Sequence, residues 1–140
     1  MKDLNKNAMV EYVLNCLATF DHDRLRQFLS GFQPFDIVML LQELPEAEQI
    51  TLLSLLPTEI AAETLEHMDY ELQYRLLDHM DEERGKAIIA EMGEDSVADL
   101  VMAIHPLQAK RILAMVPEKD LAGIEYLMTY PENSAGGIMS

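Results

Sequence analysis

The sequence predicts an all-α fold, a superhelical α-solenoid of about ten short helices, and three observations carry that prediction. Helix-breaking or helix-capping residues return at intervals of 11 to 13 positions, apolar residues between them keep helical spacing, and no stretch alternates as a strand would. The helical text runs from about Lys6 to Tyr130.

Its first part holds "VLNCLATF", where the sole cysteine, Cys16, sits among apolar residues. A small thiol in that setting reads as core packing rather than as a reactive group, and it fits a reducing compartment. The marks that follow are Pro34, Pro45, Pro57, Asp69, Asp81, Glu94, Pro106 and Pro117. Proline is tolerated in a first turn and aspartate caps free amides, so each mark predicts a helix start. Between marks, Leu72, Leu76, Leu77 and Met80 make one stripe and Val97, Leu100, Val101 and Ile104 another. Seven methionines (Met39, Met68, Met80, Met92, Met102, Met115 and Met128) fall at or near the apolar ends of repeats and are expected to pack in the core. "FDIVMLLQELP" from Phe35 echoes "EDSVADLVMAIHP" from Glu94, with valine two residues and leucine five residues after an aspartate. Helices this short are marginal alone because nucleation is costly, so stacking must supply the stability.

Composition narrows the partners. With 25 acidic against 10 basic residues the net charge is -15, which opposes nucleic acid and anionic lipid surfaces and favours cations. The longest apolar runs, such as "IVMLL" at Ile37–Leu41, fall far short of the roughly 20 residues that span a bilayer, and no signal-peptide pattern opens the chain. The chain thus reads as soluble and intracellular. It carries no Gly-rich phosphate loop, HExxH, paired cysteines or nucleophile elbow, so no enzyme is expected. His22, His67, His79 and His105 are scattered; His67 and His79 occupy equivalent repeat points, as a structural residue near a helix end does.

The carboxylates are more pointed. Asp95 and Asp99 stand four apart, on a helical face opposite the stripe Val97, Leu100, Val101 and Ile104. Capping and the helix dipole account for Asp95 but not for Asp99, since like charges at that spacing repel. Glu59, Glu63 and Glu66 form a second acidic row on the helix predicted after Pro57. Such oxygen arrays suit magnesium or calcium, but on spacing alone a solvated helix face explains them better.

Three stretches, "YPENSAGGIMS" at the end, "EMGEDSVADLV" and "LLSLLPTEIAAETLEHMD", resemble the cytosolic N-terminal domain of MgtE-type magnesium transporters from about Phe35 onward. The helical repeats alone are also similar to FliG-like protein-interaction scaffolds, the alternative reading. The resemblance implies that residues 1–130 are the helical superhelix and residues 131–140 a linker and the start of a truncated CBS domain. It further implies a Mg2+-sensing regulatory domain that closes against CBS domains when magnesium is high. Its partners would be the CBS domains and transmembrane pore domain of the same polypeptide, with the parent a homodimer in the cell membrane and this domain on the cytoplasmic side. By that resemblance Asp95 and Asp99 match the outer aspartates of a "DDxAD" segment and Glu63 the acid of "AAExL", as metal ligands; Ser96 stands where the family has its second aspartate.

Overall fold

Nine helix starts fall on a strict twelve-residue grid in the computed structural model, which describes residues 6–129. The N-caps are Asp21, Gln33, Pro45, Pro57, Asp69, Asp81, Gly93, His105 and Pro117, each twelve residues after the last. Ten α-helices and no strand occur among the described residues: α1 (Lys6–Ala18), α2 (His22–Leu29), α3 (Pro34–Leu41), α4 (Glu46–Leu55), α5 (Thr58–Glu66), α6 (Tyr70–His79), α7 (Glu82–Glu91), α8 (Glu94–Ala103), α9 (Pro106–Met115) and α10 (Glu118–Met128). The expected all-α class and helix number hold. The grid is tighter than the sequence marks suggested, because Pro34, Glu94 and Pro106 are first helical residues, with the caps one position earlier at Gln33, Gly93 and His105.

The caps show why the chain turns where it does. Asp21, Asp69 and Asp81 accept hydrogen bonds from the amides of Arg24, Leu72 and Arg84, at 3.3, 2.9 and 3.2 Å. At α9 the cap is reciprocal: the Leu107 amide donates to His105 Nδ1 at 3.1 Å, and the His105 amide donates to Gln108 Oε1 at 3.2 Å. Where proline is the cap, as at Pro45, extended backbone with φ -61° and ψ 155° sets the entry into the next helix.

Packing follows the same grid. The fourth residue after the cap is buried in eight of the nine repeats, in order Leu25, Ile37, Gln49, Ala61, Gln73, Gly85, Val97 and Ala109. Positions seven and eight, such as Leu52 and Leu53 or Leu76 and Leu77, are buried too, as is the residue just before the next cap, such as Leu56, Met68, Met80 and Met92. These positions form one i, i+3, i+4, i+7 stripe per repeat. The fourth position accepts a polar residue when that residue serves the preceding turn: Gln49 Nε2 donates to the carbonyls of Leu41 and Leu44 at 2.8 and 3.0 Å. Gln73 Nε2 does the same to Met68 at 2.9 Å. Gly85 takes the slot in α7, where a Cβ would lie 2.6 Å from the Met115 Cε of α9, the far end of a flexible side chain.

The chain divides into two compact units between His67 and Met68. In the first, α1 packs on α2, α3 and α4, and α3 on α5; in the second, α6 packs on α7, α8 and α9, α7 on α9, and α8 on α9 and α10. Helices thus meet neighbours one, two and three places along, the contact pattern of a stacked repeat. Cys16 is a free, buried thiol, as expected. Met39 departs from the core reading of the methionines, being 39% exposed. No helix of the described residues is long and apolar enough to cross a membrane. The expected linker and CBS start at residues 131–140 lie outside the described residues.

Candidate functional site

The site grows out of α8. Its cap, Gly93, has no side chain to bond the free amides, and Glu94 and Asp95 occupy the first turn, where the positive end of the helix dipole favours carboxylates. Asp95 is therefore held by the dipole and not by capping, a correction to the sequence reading. Val97, Ala98, Leu100 and Val101 are buried, which turns Asp95 and Asp99 outward. Neither carboxylate makes an ion pair or hydrogen bond with a described residue.

The pair does not stand on a bare convex face. Asp95, Ala98, Asp99 and Met102 of α8 and Leu127 of α10 line a recess of about 250 Å³, open to solvent. Two carboxylates and three apolar side chains line it. Glu94 is held alongside by a glycine: its carboxyl group fills the space that a Cβ on Gly123 of α10 would need, with the carboxyl carbon 2.8 Å from that Cβ position. Sequence reasoning missed Glu94 as a neighbour of the site. The readable signal was Gly123, a glycine inside a helical stretch, which marks a close approach. Ser96 is half-buried and adds no charge.

Glu63 lies elsewhere. It is exposed on α5, in the first compact unit, within the row Glu59, Glu63 and Glu66, whereas Asp95 and Asp99 belong to the second unit. Among the described residues no three or more His, Cys, Asp or Glu side chains are grouped as a metal centre. The donor set at α8 still fits a hard cation that keeps most of its water: magnesium is commonly held by one or two carboxylates plus waters, and an open recess leaves room for them. The histidines serve the helix ends. His105 caps α9, and His79 Nδ1 lies 2.8 Å from the Arg75 carbonyl.

Fold and site together define an acidic helical-repeat domain, a class that works through the surfaces its stacked helices present. Residues 32–133 match the MgtE intracellular N domain, and the chain belongs to that family. It is 33% identical over 123 residues to the magnesium transporter MgtE of Thermus thermophilus, a match covering 86% of this chain and 27% of that protein. It also superimposes, with a TM-score of 0.77 and 28% identity, on a crystal structure of the cytosolic domain of the Mg2+ channel MgtE in complex with ATP. That match covers 88% of this chain and 51% of the other. The chain thus corresponds to about a quarter of the transporter and half of the cytosolic domain. The family expected from the three stretches is the one found, and it is defined by a transporter's intracellular domain and not by a catalysed reaction.

Proposed function

We propose that this domain senses magnesium for an MgtE-type transporter, on the cytoplasmic side of the cell membrane. The observation that carries the reading is the pair of outward carboxylates of Asp95 and Asp99, without partners among the described residues, in the lining of one recess. They offer oxygens to Mg2+, and Glu63 offers another on the other unit. The bound ion supplies positive charge that offsets carboxylate repulsion. A domain of net charge -15 is repelled by a second acidic surface and approaches it only when such charge is neutralised. Closure against CBS domains of the same polypeptide, in a homodimeric parent, then reports the cation level to the pore. Residues 131–140 lead into the first CBS domain. In the isolated domain two carboxylates leave most of an octahedral shell to water, so affinity is weak, about millimolar.

The test is Asp95→Ala with Asp99→Ala in the full-length parent. Ion flux is followed together with magnesium-dependent protease protection of the segment after residue 130. The variant should need more magnesium to close. Closure and protection at the parent's magnesium concentration would show that these aspartates are ordinary surface charges.

A further inference from the structure

Helix α3 reads "PFDIVMLL", apolar on every side but for Asp36. Such a helix is ordinarily enclosed. Here Ile37, Val38, Leu40 and Leu41 are buried, yet Phe35 is 59% exposed and Met39, one turn on, 39%. The Phe35 ring meets the His67 ring edge-on, centroids 6.2 Å apart, at the end of α5, on which α3 packs. Along α5 the exposed residues leading to His67 are Glu59, Glu63 and Glu66, none of them paired with a described residue. An apolar strip on α3 therefore adjoins a carboxylate row on α5, the next helix but one. Between Arg26 and Arg75 the chain has no lysine or arginine and nine carboxylates.

We propose that this face, Phe35 and Met39 with Glu59, Glu63 and Glu66, docks a basic amphipathic polypeptide segment. Apolar side chains of that segment cover α3 while lysine or arginine on its flank meets the α5 row. Helix-in-groove recognition joins an apolar anchor to flanking charge in this way, and the carboxylates add steering and orientation. An anionic membrane is the wrong occupant for a surface of this sign. Glu63 is shared with the magnesium reading, and the Phe35 and Met39 variants separate the two, because neither side chain is a cation ligand.

Fluorescence anisotropy tests it with a labelled leucine–lysine peptide of helical spacing and a scrambled peptide of the same composition, both at physiological salt. The 140-residue chain should bind the first and not the second. Phe35→Ser with Met39→Ser should weaken binding at least about tenfold, as loss of a central anchor does. Glu59→Gln, Glu63→Gln and Glu66→Gln together should do likewise. An equal charge change elsewhere, Glu83→Gln, Glu91→Gln and Glu125→Gln, should leave it within about twofold. Circular dichroism confirms that each variant is folded. Equal binding of the scrambled peptide, equal loss in the remote triple variant, or no binding at all overturns the proposal. So does a self-dimer in sedimentation equilibrium that Phe35→Ser with Met39→Ser dissolves and the peptide does not displace, since the face would then belong to a second copy.

Discussion

Replacing Gln49 by glutamate changes one terminal group and reverses its role. The native Nε2 donates to two carbonyls, Leu41 at 2.8 Å and Leu44 at 3.0 Å, in a side chain only 8% exposed. In Gln49→Glu an oxygen faces those oxygens. Two donations are lost, each worth about 1 kcal/mol net, and a buried carboxylate is left without a cation. The cost at about pH 7 is therefore about 3–5 kcal/mol, a large share of a typical domain's stability. Protonation offers an escape, since a neutral carboxyl can donate to one carbonyl. Burial against carbonyls raises the folded-state pKa above the unfolded value of about 4.3, so the penalty is smallest below that value and grows as pH rises, by at most about 1.4 kcal/mol per pH unit. Urea denaturation followed by circular dichroism, at about pH 7 and about pH 4 on parent and variant, measures both effects, provided the m-value is shared. Gln49→Met, which keeps volume and also removes the unpartnered Oε1, should fall within about 1 kcal/mol of the parent. A Gln49→Glu variant as stable as the parent at neutral pH would refute the view that this amide ties the end of α3 to α4.

Three further outcomes follow from single contacts. Gly85→Ala should be neutral or stabilising by up to about 1 kcal/mol in urea midpoint analysis, since it gains helix propensity and displaces only the flexible Met115 methyl; Gly85→Leu, pressing on Met80 and the Leu77 carbonyl, should lose about 1–3 kcal/mol. Asp95→Asn with Asp99→Asn should change stability by less than about 1 kcal/mol, because the lost dipole interaction and the relieved repulsion nearly cancel. The same pair should abolish magnesium-induced shifts of α8 amide resonances, whereas shifts matching the parent's would count against the site. Burial first, and the Cys16 thiol next, push the Tyr12 phenol above its ordinary range. A raised folded value favours the neutral phenol, so this contribution to stability is complete below about pH 10 and is lost as pH rises through the raised value. Cys16→Ala should move the Tyr12 phenolate absorbance transition downward.

Much of this molecule is legible in one dimension. A twelve-residue period with a cap and one apolar stripe per unit dictates short helices that cannot stand alone, because capping and helical spacing are local properties of the chain. The outward placement of Asp95 and Asp99 was likewise readable, since Val97, Leu100 and Val101 fix the opposite side of α8. The closing signature and the carboxylate segment carried the family. Other features only the tertiary structure decided. Leu72 looked like part of a core stripe, but the buried slot belongs to Gln73, because the Met68 carbonyl in the preceding turn needs a donor there. Met39 looked like core and is partly exposed, because α3 has more apolar sides than neighbours to cover them. The recess beside Asp99 needs Leu127, 28 residues further on, and the Glu94 carboxylate lies against α10 only because Gly123 has no side chain. Sequence spacing orders side chains around one helix axis; which of them meets another helix depends on where the chain returns, and that is set by packing over distances no local pattern encodes.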